Sequence, residues 1–466
     1  MILGARVTRR RERRKRFCLL RAALAGLALL GLLAACGGSS KSGSPSTTAQ
    51  RGTESTALGV GVTPTEIKLG VALIDFNCVK DFVDSIRINQ DQVYQAFIDD
   101  VNAKGGINGR KIVSVYDSYC PINTAGPLSV CTKLTEDDRV FAITGNFFDT
   151  SGDGQTCVTK QHQRVLLSFN LTQAIIDKAP PGLLLYAGAT NERTTRVVLK
   201  LLEKQRTLVG KKVAALGATQ EAGVVNGTIV PGLRKLGLQL GTTAILTITG
   251  TDTTAAQTQL DSFIERWKGE GVEAIFLAGN EVSGAKQFVT KIRSAMPKVI
   301  LISDNTDVKG PAQDLTKAGV KPNPYEGIFS AGGPTPIEYD KSEHWKYCAA
   351  IYEKYTGKHA PNSQEVVPGP GGKTLETNAS INDACQVITM FRDIATRVGK
   401  NLNNANWTKT VDTFGHIDNY GSGPYSSLHK GKYDAEDNFR LEAFDSSIPP
   451  IGNWRGITAV ENITGG

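Results

Sequence analysis

Cysteine carries the most legible chemistry in this chain of 466 residues. Cys18 and Cys36 stand near the N-terminus; Cys78, Cys120, Cys131, Cys157, Cys348 and Cys385 stand in the body. An even set of thiols in an oxidising compartment reads as disulfides, and six thiols allow fifteen full pairings. Cys348 and Cys385 lie far from the other four, each on an expected helix (His344–Tyr355 and Asn382–Val398), and are the expected pair. Among the remainder, the loops at Cys78 and Cys120 follow neighbouring expected strands, which makes Cys131–Cys157 the complementary pairing and leaves the alternatives open. No CxxC and no Cys/His group at zinc spacing occurs, so no metal is expected.

Other reactive patterns are thin. Gly371-Gly372-Lys373-Thr374 has the end of a phosphate-binding loop, but Val367 stands where its first glycine belongs and Pro368 and Pro370 stiffen it. There is no GxSxG and no HExxH, and the five histidines are scattered. The carboxylate pairs Asp99-Asp100 and Asp137-Asp138 sit on or at the ends of helices, where water solvates them. Neither catalysis nor a cofactor is expected.

The charge is concentrated in the leader. The chain has 53 Lys+Arg against 45 Asp+Glu, and nine of those bases with one acid fall in residues 1–36. The body is therefore balanced and shows no basic surface for nucleic acid. After the basic stretch, Ala22–Ala35 is uncharged, too short to span a bilayer and of the length of a secretory apolar segment. It ends in Leu33-Ala34-Ala35-Cys36-Gly37, which resembles a bacterial lipobox, with Cys36 as the lipid acceptor. Residues 1–35 are thus read as a signal peptide. Residues 36–62, rich in Gly, Ser and Thr, follow as lipidated cysteine and flexible tether. The expected location is the outer face of a bacterial plasma membrane.

From Thr65 short apolar runs alternate with amphipathic ones. Ile67–Ile74, Lys111–Tyr116, Val140–Thr144 and Val165–Phe169 read as strands, separated by helices such as Gln92–Lys104. This is a βαβαβαβ pattern, and it restarts at Lys211–Leu216, Ala244–Ile248, Ala274–Leu277 and Val299–Ser303. Two doubly wound parallel-sheet lobes follow, with the late helices free to complete the first. Ligands in such sheets sit beyond the carboxyl ends of the strands, so two facing lobes make a clamshell.

Residues Ala96–Lys111 (AFIDDVNAKGGINGRK) closely resemble the first helix and turn of branched-chain amino-acid-type substrate-binding proteins of ABC transporters. Tyr116-Asp117, Asp137–Ala142 and Gly145 are similar too. The resemblance implies an α/β type I periplasmic binding fold with a three-crossover hinge. By analogy the crossovers fall near Tyr186–Glu192, Ile328–Pro336 and Tyr420–Ser427. Lobe 1 is then expected over 63–188 plus 334–422, and lobe 2 over 189–333 plus 423–466.

The same resemblance implies a ligand site. A carboxylate would be held by the loops after the third and fourth strands, through Asn146, Thr150, Ser151, Asn170 and Thr172. An ammonium would meet Asp304 or its neighbour Asn305. Where amino-acid binders often carry an aromatic residue, this chain has Ala222, preceded by Gln220-Glu221, and near Gly279, where a second is expected, it has Asn280-Glu281. The pocket is expected to be polar on that lobe. The implied function is capture of a small polar solute, an amino acid or related, by a monomer that delivers it to an ABC permease. The alternative is a ligand-sensing surface module of the same fold acting on a receptor.

Overall fold

A computed structural model describes residues 57–464, except 82, 84, 123–124, 148, 150, 170, 249–252, 306–307 and 422. The leader, Cys18, Cys36, and most of the expected tether lie outside the described residues. The last part of that tether, residues 57–62, is held against the body instead. Gly59 N–H donates to the Leu402 carbonyl at 2.8 Å, and Asn403 Nδ2 donates to the Ala57 carbonyl at 2.7 Å.

Five parallel strands make the first sheet: β1 (Glu66–Ile74), β2 (Lys111–Tyr119), β3 (Ala142–Gly145), β4 (Val165–Ser168) and β5 (Leu184–Tyr186), in the order β2-β1-β3-β4-β5. Near-continuous burial of Ile67, Leu69, Val71, Ala72 and Leu73 shows that both faces of β1 are covered, as parallel sheets require. The helix Gln90–Ala103 buries Val93, Tyr94, Phe97, Ile98 and Val101 along one face. It stops at Gly105 and Gly106, both left-handed; a Cβ on Gly106 would stand 2.0 Å from the Arg110 carbonyl oxygen. Only glycine fits that turn.

A second sheet holds β6 (Lys212–Ala218), β7 (Ala274–Leu277), β8 (Ile300–Ser303), β9 (Phe329–Gly332), β10 (Asn438–Asp445) and β11 (Asn453–Gly456), in the order β11-β10-β9-β8-β7-β6. Short strands Gln239–Leu240 and Ala244–Leu246 pair with β6. β6 to β9 are parallel, whereas β10 runs antiparallel to β9, because the chain re-enters this sheet from the other lobe. The late helices Glu343–Thr356 and Thr377–Val398 contribute Ile351, Ile388, Phe391 and Ile394 to the core under the first sheet.

Three disulfides, Cys78–Cys120, Cys131–Cys157 and Cys348–Cys385, all staple the first lobe. The last joins the two late helices. His162 lies near Cys131 and Cys157, but both thiols are consumed by their mutual bond, so the trio offers no metal site.

The crossings are pinned by buried charge. Arg193, at the start of the helix Asn191–Lys204, donates through Nε to Asp434 Oδ2 at 2.7 Å and through Nη1 to Asp437 Oδ1 at 3.2 Å. Lys432 Nζ reaches Asp437 Oδ1 at 3.1 Å, and all four side chains are almost wholly buried. Two cations facing two anions leave no net charge in the dry interior, the condition for keeping such a group ionised. Leu428 and Ala435 pack in the core of the first lobe and Phe439 in that of the second. The last passage between lobes therefore follows Ala435, beyond the Tyr420–Ser427 expected for it.

Candidate ligand cleft between the lobes

On the first lobe, β3 ends at Gly145, whose backbone has φ +107° and where an added Cβ would lie 2.3 Å from the Ala72 carbonyl oxygen. Asn146 follows, its carbonyl accepting from Tyr119 Oη at 2.8 Å. Asn146 lines a cavity of about 140 Å³ together with Phe76, Arg87, Phe147, Phe169 and Glu376. Phe76, Phe169 and Arg87 were missed in the sequence. Only Phe169 carried a local signal, since it immediately precedes Asn170.

Two expected hydroxyls are already occupied. Ser151 Oγ donates to Asp149 Oδ1 at 2.7 Å and accepts from Asp153 N–H at 3.1 Å, shaping the start of the next helix. Thr172 Oγ1 accepts from Ile175 N–H at 3.3 Å and so caps the helix Gln173–Lys178. Thr150 and Asn170 lie outside the described residues.

On the second lobe the expected carboxylates do converge. Asp304 follows β8 and is 1% exposed. Its two oxygens accept the Gly279 N–H at 3.0 and 3.2 Å, and Oδ1 also takes Asn305 Nδ2 at 3.3 Å. Asn305 Nδ2 further touches Ser283 Oγ at 3.2 Å. Glu221 folds across Gly279 so closely that a Cβ there would lie 2.3 Å from Glu221 Cγ. Burial, then the neighbouring Glu281 carboxyl, drives Glu221 well above the usual carboxylate range. Burial pushes Asp304 up to about 7; the Gly279 N–H opposes the rise and the charge of Glu192 adds to it.

Glu192, inside the expected first crossover, is a residue the sequence did not single out for the site. Its Oε2 accepts from the Gln173 N–H at 2.8 Å, which ties the acidic group to the helix capped by Thr172. Gln220 is exposed and lies outside this acidic group. Asn280 instead lines a larger cleft.

That cleft encloses about 740 Å³ and is walled by both lobes. Arg87, Pro361, Glu376 and Asn382 come from the first; Lys309, Gly332, Glu442 and Trp454 come from the second. A cavity of about 860 Å³ beside Asp75, Tyr116 and Lys373 is larger, but first-lobe residues alone line it. The cleft that both lobes already wall is therefore the candidate site.

The family's own sequence pattern, that of the periplasmic binding proteins, matches residues 85–367, more than half of the chain. The chain belongs to the periplasmic binding protein family. Its fold is type I, shared with solved structures of 14–18% identity. One is a solute-binding protein of an ABC transporter from Rhodopseudomonas palustris BisB5, in complex with 3,4-dihydroxybenzoic acid: TM-score 0.58, 14% identity, covering 86% of this chain and 98% of that one. A fatty acid ABC transporter substrate-binding protein from Thermomonospora curvata gives 0.58 at 18% identity, with 88% and 95% covered. The branched-chain amino-acid binding protein LivJ of Streptococcus pneumoniae, in complex with isoleucine, gives 0.56 at 14%, with 85% and 100% covered. No curated protein matches in sequence. Periplasmic binding proteins are extracytoplasmic binders rather than enzymes, and among the described residues no helix is long and apolar enough to cross a membrane.

Proposed function

We propose that this chain is a lipid-anchored solute-binding protein. It captures a small polar solute, an amino acid or a relative, between its lobes and delivers it to an ABC permease. Cys36 carries the lipid and residues up to 56 form the tether. We place the first lobe at 63–188 plus 334–435 and the second at 189–333 plus 436–464, moving the third boundary to follow the packing of Leu428, Ala435 and Phe439.

The observation that carries the reading is Asp304. It is a buried carboxyl at the end of a parallel strand, oriented by a backbone N–H, and no basic side chain among the described residues pairs with it. A buried carboxylate without a counter-ion is costly, and an ammonium arriving from solution relieves that cost. Asn146 and the aromatic wall of Phe76, Phe147 and Phe169 supply the first-lobe face. Closure would bring the halves together, so that neither lobe binds well alone.

The test is a thermal-shift screen of the protein against amino acids, amines, sugars and aromatic acids, with hits titrated calorimetrically against Asp304→Ala. Affinity reduced at least tenfold supports the assignment. Unchanged affinity with a lowered melting point would make Asp304 a structural residue and move the site away from it.

A further inference from the structure

The interlobe cleft carries six carboxyl side chains against three basic ones. Five of the six already have partners within the protein. Glu376 and Asp383 pair with Arg87 at 3.2 and 2.6 Å, Asp314 with Lys286 at 3.2 Å, and Glu365 with His359 at 3.1 Å. Glu436 accepts the Asn438 N–H at 2.8 Å. Glu442 is the exception. It is 2% exposed, it lines the cleft, and no hydrogen bond or ion pair reaches its carboxyl from any described residue.

Its position is built rather than incidental. Glu442 stands on β10 opposite Ser330 of β9 and leans over Gly332, where a Cβ would lie 2.3 Å from its Oε1. Glycine is thus what leaves room for the carboxyl beside the cleft. The charged groups around it are Arg440 on the same strand, Glu338 on the helix Pro336–Tyr339 and Lys309 at the start of the helix Lys309–Lys317. Arg440 is committed to Glu338, donating Nη1 to Oε1 at 3.1 Å and Nη2 to Oε2, and neither Arg440 nor Lys309 comes within ion-pair distance of Glu442. Burial pushes Glu442 up to about 8, against the opposing pull of Arg440 and Lys309.

We propose that Glu442 is a second cation-binding position in the cleft, and that the captured solute is dibasic, a diamine or a basic amino acid with one positive group on each carboxyl. The inference rests on the reading of Asp304 as the first ammonium position. Strand register supports the span: Ile302 faces Phe329 and Ser330 faces Glu442, so two strand spacings, about 10 Å, separate β8, which leads into Asp304, from Glu442. An extended diamine is long enough for a separation of that order, whereas leucine brings one positive group and can meet only one of the two carboxyls. A cation arriving at Glu442 meets a carboxyl that is protonated at neutral pH. Binding forms the ion pair as that proton leaves to solvent.

The experiment is calorimetric titration with spermidine, putrescine, L-arginine, L-leucine and 4-hydroxybenzoate at pH 6.5, in two buffers of different ionisation enthalpy, for the wild type and Glu442→Gln. The dibasic probes should bind at least tenfold more tightly than leucine. Binding them should release about one more proton from the wild type than from the variant, with affinity for them rising up to about tenfold per pH unit through this group below pH 8. Glu442→Gln should remove that advantage while melting no lower than the wild type, because the amide has the same shape and no charge to bury. Two results would overturn the proposal and leave the solute-binding reading intact: dibasic affinity unchanged in the variant, or leucine or 4-hydroxybenzoate binding best with sensitivity to Asp304→Ala. If no probe binds, both fall together.

Discussion

The Gly279 N–H points between the two carboxylate oxygens of Asp304, at 3.0 and 3.2 Å. One backbone donor thereby fixes the plane of a buried carboxyl at the lip of the second sheet, and only a residue free to adopt the backbone of Gly279, φ +74°, can present it. Gly279→Ala should therefore disturb Asp304 and press on Glu221 at once. The expected outcome is at least a tenfold loss of solute affinity, measured by calorimetry, from a residue that touches no solute.

The pH dependence of stability follows from the same chemistry. Asp304 rises to about 7 and Glu442 to about 8, both above their ordinary values. For an acid raised on folding, the folded state holds its proton more tightly, so the stability is fully present below the ordinary carboxylate range and is lost as pH climbs through 7 and then 8. The solute-free protein should melt at lower temperature at pH 8.5 than at pH 5.5. Glu338 acts with the opposite sign. Arg440 holds it down to about 2, so its contribution is lost only as pH falls below the ordinary range, outside this window. Differential scanning calorimetry of wild type and Glu442→Gln checks the trend, and the variant should show the shallower slope.

At the hinge, Asp434 is the shared partner of Arg193 Nε and the Thr190 N–H, which it accepts at 3.0 Å. Removing it leaves a buried guanidinium short of its anion, a loss typically of about 3–5 kcal/mol. Asp434→Ala should lower the denaturant midpoint by that equivalent. A change under 1 kcal/mol would show that Asp437 alone balances the two cations.

The Cys348–Cys385 bond closes a loop between two helices that bury Ile351, Ile388 and Phe391. Replacing both cysteines by alanine should cost about 2–4 kcal/mol, read by urea unfolding. Peptide mapping of the wild type without reductant should return three bridges, with neither Cys348 nor Cys385 free.

Cys36→Ala should abolish incorporation of labelled fatty acid and leave the leader uncleaved or the protein released. Label persisting in the variant would remove the lipid anchor from the proposal.

Much of the fold was legible because its strands are short apolar runs between amphipathic helices. Ala274–Leu277 and the stop of the first helix at Gly105-Gly106 needed nothing beyond the local sequence. The three-stranded sheet of Ser85–Ile86, Val367–Pro368 and Thr374–Leu375 was not legible, since two-residue strands are specified by partners almost three hundred residues away. The same distinction separates the parts of the site. Asp304 and Glu221 could be named because the family resemblance aligns loops that each follow a strand in its own βα unit. Arg87 and Glu192 owe their place to contacts between segments, with Glu376 and Asp383 in one case and Gln173 in the other. Glu442 did have a signal that went unused: a carboxylate inside FRLEAF, where three of the four nearest residues (Leu441, Ala443 and Phe444) are apolar. Ser151 and Thr172 show the converse. Hydroxyls after strands are read as readily for local backbone bonding as for ligand binding; here Thr172 caps a helix and Ser151 bonds within its own turn.

The bridges Cys78–Cys120, Cys131–Cys157 and Cys348–Cys385 never interleave: the cysteines of the body pair in consecutive order along the chain. A polypeptide threading outward from its N-terminus thus exposes every thiol immediately before or after its proper mate. An indiscriminate oxidant that joins thiols in order of emergence produces the native set, with nothing to reshuffle. The late pair differs only in waiting: almost two hundred residues, including most of the second lobe, must emerge between Cys157 and Cys348 before the first lobe can be sealed.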